Sequence, residues 1–316
     1  MTSSLLIAAA AMAHAGTIEA QTVNWVEMGS PSARCCMGMA YDAATQSTVL
    51  FGGVGPLGDT WIWRGGWLRA SPAASPSARS GAGMAYDGTA GNIVLFGGVD
   101  SNGTYLNDTW TWDGTTWTQQ FPPVSPPARV FNITNMAYDA ATQNVVLFGG
   151  SSSGILGDTW TWNGVARTWT QQNPTVSPSA RLAPMAYDAA TQSVVLFGGN
   201  DGTVQFTDTW YWNGSTWTQL FPASAPTART SASMAYDANL GAVVLFGGYA
   251  GIWEDSLSDT WLWNGITWSQ IHPATVPPNR YNFGMDYDPL NKTVLMFGGY
   301  SSGPVRGDTW LLALQP

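Results

Sequence analysis

The 316-residue chain carries 36 Gly, 19 Pro and 18 Trp but only 10% charged residues, which suits many short strands joined by turns and leaves helical patterning nearly absent. A formal net charge of -9, with 11 basic residues and no Lys/Arg cluster, excludes a phosphate backbone as partner. Two cysteines in a chain of this size make no disulfide framework, so stability has to come from core burial.

Taken in chain order, residues 1–20 read as a secretory signal, with an apolar run from Leu5 to Ala13 and a small-x-small step at Ala13-His14-Ala15. The run is too short to span a membrane and no later segment is a candidate, so a secreted or periplasmic protein without membrane insertion is expected. Residues 21–316 are expected to form one domain built on a repeat. Phe51, Phe96, Phe148, Phe197, Phe246 and Phe297 each precede a diglycine, at spacings near fifty residues.

Each copy predicts four short strands. Strand A, as in "RSGAGMAYD" from Arg79 to Asp87, is rich in small residues and suits an inner position where copies crowd around an axis. Strand B, "NIVLFGG", is an apolar run of the kind buried on both faces. Strand C, "NDTWTW", puts Trp110 and Trp112 on one face, and strand D carries Trp117 behind a "DG" turn. Proline-rich segments such as "FPPVSPPAR" favour an extended crossing back to the centre. Four antiparallel strands with such a crossing define a propeller blade. The sixth copy stops at "GDTWLLALQP" without a strand D, while "TVNWVEMG" near the start matches strand D and has no blade of its own. The expected fold is therefore all-β, a six-bladed propeller whose last blade is closed by the N-terminal strand, a closure that removes exposed edges.

The diglycine after an apolar strand, the strand D tryptophan and the period resemble kelch repeats, the family that includes the galactose oxidase propeller. The "MAYD...VVLFGG...DTW" wording is similar to that of secreted bacterial kelch proteins. The resemblance covers Val23 to Pro316. It implies the fold; function has to be sought in the residues that break the repeat.

Among residues common to all copies, the aspartates of "YD" and "DTW" are expected as turn residues accepting backbone N–H bonds. Arg34, Arg79, Arg129, Arg181, Arg229 and Arg280 stand at the start of each strand A and form a ring at one mouth of the channel. Two readings apply. Each Arg pairs with a "DTW" carboxylate and locks blade to blade, or the ring is an anion-binding funnel. Kelch adaptors that capture acidic peptides line their pocket with arginines in a matching "R-x-G-x-G" context, and Arg79-Ser80-Gly81-Ala82-Gly83 fits it. Arg129 and Arg181 depart from that context, leaving their orientation open.

The repeat-breaking residues fall on loops of the same face: Tyr249, Trp253, Glu254 and Asp255; Asp100, Asn102 and Tyr105; Asp201 and Phe206; Tyr300 and Arg306. Rings beside carboxylates suit a sugar or peptide groove, with Tyr105, Tyr249, Trp253, Tyr300 and the six arginines as the ligand-binding set. Only two histidines occur, His14 and His272, which leaves no His-based metal site; the copper or iron chemistry of kelch relatives lacks its ligands here. No metal or other cofactor is expected, since "DSNG" and "NDG" match calcium loops only faintly.

Three functions follow as readings. The first is a monomeric secreted module binding a glycan or an acidic protein ligand. The second is a carbohydrate-active hydrolase, lyase or mutarotase using Glu254, Asp255 and Asp201. The third is a bare interaction scaffold. Cys35 and Cys36, where blade 2 has Ser80 and Gly81, are expected on the inner strand with thiols on opposite faces, filling space at the axis; a vicinal disulfide is the alternative.

Overall fold

The computed structural model describes residues 23–28, 31–131, 136–251, 256–301 and 303–314. These residues contain six four-stranded antiparallel sheets and no helix, so none that could cross a membrane. Blades 1 to 5 occupy residues 38–69, 83–120, 136–172, 185–220 and 233–271, and blade 6 residues 284–314 together with 23–28. In blade 2, strands A to D are Gly83–Asp87, Asn92–Phe96, Thr109–Trp112 and Trp117–Gln120, paired in that order. The closure expected from the chain ends is present: Val23–Met28 pairs antiparallel with Thr309–Leu314, Trp25 opposite Leu312. One side of the ring is thereby sealed by backbone bonds between two segments almost the whole chain apart, leaving no free strand edge there.

Strand B is buried along its apolar run, as that run requires; Val94, Leu95 and Phe96 are inaccessible. The strand D tryptophans explain how neighbouring sheets grip each other. Trp217 of blade 4 lies edge-on to Phe148 of blade 3 at 5.3 Å, and its indole N–H donates to Thr159 Oγ1 of blade 3 at 2.9 Å. The same pair of contacts recurs for Trp67, Trp117, Trp169 and Trp268, each reaching into the preceding blade. A buried ring thus contributes apolar burial and its polar edge is satisfied, so the contact is specific as well as adhesive. The tryptophan and the "DTW" threonine recur because the five boundaries described are built from them.

Candidate ligand-binding mouth

The arginine ring is paired. Each of the six is at most 2% exposed and forms an ion pair with the "DTW" aspartate of its own blade. Arg229 uses all its guanidinium N–H donors: to both Asp259 carboxylate oxygens at 2.6 and 2.8 Å, to Gly247 O and Thr227 O at 3.0 Å, and to Thr227 Oγ1 at 3.0 Å. Its own carbonyl accepts from Gly199 N of the preceding blade at 2.8 Å. Side chain and backbone together tie two blades. The same backbone approach explains the diglycine: Gly97 has φ +67, and a Cβ there would meet Arg129 O at 2.7 Å.

Arg129 and Arg181, whose orientation the irregular spacing left open, take the same place. Arg181 makes one bond to Asp208, at 2.6 Å, and its guanidinium lies 3.8 Å over the Phe206 ring, which accounts for that repeat-breaking aromatic. The "DTW" aspartates take the arginine-pairing role of the first reading, within a blade and not between blades, and go beyond a turn role by accepting also from the indole two residues on, as Asp259 does from Trp261 at 2.6 Å. The "YD" aspartates do accept turn amides, Asp87 Oδ1 taking Thr89 N and Ala90 N at 3.0 Å. Burial pushes the Asp59, Asp108, Asp158, Asp259 and Asp308 carboxyls up, and the arginine and indole bonds overcome it and hold them below the ordinary value.

Above this frame the mouth is narrowed by backbone bonds between blades: Asn282 N to Ser231 O at 3.0 Å, Cys36 N to Asn282 O at 2.9 Å, Gly81 N to Cys36 O at 2.6 Å and Phe131 N to Gly81 O at 2.7 Å. Cys36, Gly81, Ser231 and Asn282 all hold φ between 56° and 64°. This corrects the expected course of the cysteine pair. The inner strand begins only at Gly38, and the left-handed turn at Cys36 cancels the alternation of an extended chain. The thiols converge instead of diverging, with Cys36 Sγ donating to Cys35 Sγ across 3.3 Å, both free.

That bond lowers the Cys35 pKa and raises that of Cys36, which burial raises further. The thiol that ionises first is therefore that of Cys35, a residue only 4% exposed, and the Cys36 thiol stays protonated. Alkylation at pH 7.5 is expected to proceed more slowly than that of a free small-molecule thiol, with two thiols counted after unfolding. Faster reaction, or no thiol without reduction, would contradict the arrangement.

Beside the thiols stands a ladder of three tyrosines across the boundary of blades 5 and 6. Tyr281 lies 5.4 Å from Tyr249 and 5.4 Å from Tyr300 between ring centroids, and Tyr300 is 39% exposed. Burial raises the Tyr281 hydroxyl pKa first, followed by its two tyrosine neighbours and the cysteine pair. Tyr281 was hidden in the sequence by its place directly after the scaffold residue Arg280; that the other five positions hold Cys35, Ser80, Val130, Leu182 and Thr230 was the available signal. Tyr105, 40% exposed, stands apart on blade 2 and bridges Val99.

In the blade 6 loop that bears Tyr300, Arg306 occupies the place of Leu57, Leu106, Leu156 and Leu257, its carbonyl receiving the next arginine's amide, Arg34 N, at 2.9 Å. Its side chain is half-buried, and among the described residues its Nε has no hydrogen-bond partner and it forms no ion pair. Burial, then the charge of Arg280, lowers its pKa, and the nearby Asp308 carboxylate, which pairs with Arg280, acts the other way.

The loop acids serve their own turns. Asp100 Oδ1 accepts Asn102 N at 2.8 Å and Thr104 N at 2.9 Å. Asp201 Oδ1 accepts Val204 N at 2.7 Å and Thr203 N at 2.8 Å, and these bonds lower its pKa to about 2. A carboxylate held there is a weak base and no proton donor at neutral pH. Trp253, Glu254 and Asp255 lie outside the described residues.

The sequence profile of the KLHDC2/KLHL20/DRC7 kelch-repeats domain matches residues 62–224, just over half of the chain. No curated protein matches the chain. Six closed four-stranded blades, the repeated diglycine and tryptophan contacts and this match agree, and the chain belongs to the kelch-repeat β-propeller family.

Proposed function

We propose that this propeller is a secreted, monomeric protein-interaction module that captures an acidic segment of a partner protein at the mouth bearing Tyr249, Tyr281, Tyr300 and Arg306. The kelch domain suggests an interaction scaffold. The observation that carries the finer reading is Arg306, a half-buried guanidinium with no carboxylate partner among the described residues, in the same loop as an exposed ring of the tyrosine ladder. Arg and Tyr are among the residue types enriched at the hot spots of protein interfaces. The six ring arginines support the mouth from beneath, since their donors are engaged within the blades.

The test is an array of Asp/Glu-rich peptides, matched Lys/Arg-rich peptides and glycans, read at low and physiological salt. Capture of acidic peptides that weakens with salt is the expected result. Glycan capture alone, or indifference to peptide charge, would overturn it.

A further inference from the structure

The other end of the channel differs chemically from the mouth. The six "YD" tyrosines, Tyr41, Tyr86, Tyr138, Tyr187, Tyr236 and Tyr287, line a cavity of about 290 Å³ together with the methionines two positions before them. Five blades place Ala between that Met and Tyr; blade 6 reads "MDYD" and places Asp286 there. Asp286 is the one charged residue lining the cavity among the described residues, and no Lys or Arg joins it. Its Oδ2 accepts Tyr41 N of blade 1 at 2.7 Å and its Oδ1 accepts Tyr287 N at 2.8 Å. Each oxygen keeps further acceptor capacity. One symmetry-breaking carboxylate, fixed by two amides and surrounded by aromatic rings and thioethers, is not needed to build a blade, because the other five do without it.

We infer that this cavity is a binding site for a small organic ammonium ion, a primary alkylamine in its protonated form, with Asp286 as the counter-ion and the tyrosine ring as the apolar and aromatic wall. A cation gains from a desolvated carboxylate and from aromatic faces nearby, whereas an anion meets only repulsion there. The cavity volume lies at the low end for ligand sites and selects a small occupant. Desolvation raises the Asp286 pKa to about 6 against the two amide bonds, with Asp288 adding to the rise. The other titratable groups on the strands packed against it are Tyr41 and Asp42 of blade 1, Tyr236 and Asp237 of blade 5, and Tyr287 and Asp288 on its own strand. The ion should therefore bind at pH 8 and be released as pH falls below about 6.

The experiment is titration of n-butylammonium chloride into the full chain at pH 8 and pH 5, followed by calorimetry, with sodium chloride and n-butanol as controls for ionic strength and apolar contact. Saturable binding at pH 8 that weakens at least tenfold at pH 5, and tenfold or more in Asp286→Ala and Asp286→Asn, is expected. Ala is native to the equivalent place in five blades, so the first variant keeps the fold. Asp201→Ala removes an equal charge from an exposed loop and should bind as the parent does. No saturable binding, equal binding by n-butanol, or undiminished binding in Asp286→Ala overturns the inference, and none of these outcomes touches the acidic-peptide reading of the opposite mouth.

Discussion

Arg229→Met is expected to destabilise the propeller by about 3–5 kcal/mol, the range for removing one partner of a buried ion pair. The change strands Asp259, which keeps its indole donor Trp261 on the Oδ2 side and its own backbone N–H but loses both guanidinium bonds, and it leaves Gly247 O and Thr227 O without the guanidinium. Because Asp259 is 21% exposed, water recovers part of its solvation and the lower half of the range is the better expectation. Adding Asp259→Asn to Arg229→Met removes the stranded charge and should restore part of the loss. The pH dependence has a definite sign. The Asp259 carboxyl sits below its ordinary value when folded, so its pairing contributes stability above about pH 4 that fades as pH falls through the folded pKa. The gap between parent and variant in chemical denaturation should therefore close in acid. A variant as stable as the parent at pH 7 would return the arginines to the role of free ligand groups.

Trp217→Ala should cost a similar amount, about 3–5 kcal/mol, through a different mechanism. The ring is 1% exposed and wedged between Trp212 of its own blade and Phe148 of blade 3, at centroid distances of 5.5 and 5.3 Å. Its removal opens a cavity at a blade boundary and frees the Thr159 hydroxyl that it bonds. Trp217→Phe retains much of the burial but not the N–H, so it should fall between the two, the step from Trp to Phe carrying the lost hydrogen bond together with the packing lost by the smaller ring. Urea denaturation of the three proteins checks the order; equal stability of Phe and Trp would show the bond to be worth nothing here.

The fold was readable in the sequence because a propeller writes the same physical demands six times. A glycine that admits the next arginine's carbonyl, a tryptophan that reaches the previous blade and an aspartate that holds an arginine all appear as fixed letters at a fixed period. The closure was legible from what the two ends lacked. The site was harder to read. The alternation rule that puts the Cys35 and Cys36 thiols on opposite faces holds for extended backbone, and the left-handed turn at Cys36 is bonded through its backbone to blades 6 and 2, partners that lie far away in the sequence. Tyr281 follows directly on the scaffold residue Arg280, where the arginine draws the attention. Asp286 was visible as "MDYD", yet one changed letter inside a repeated word reads as drift until the structure puts it in the channel wall.

In the proposed function, scaffold and recognition are carried by separate residues on the same face, and Arg306 separates them most cleanly. The decisive measurement is the affinity of an acidic peptide taken from the array for the parent and for Arg306→Gln, with melting temperature recorded on the same samples. At least tenfold weaker binding, about 1.4 kcal/mol or more, is expected, with melting within about 2 °C of the parent. Unchanged affinity in Arg306→Gln, or a loss of binding that merely follows a collapse in melting temperature, would contradict it.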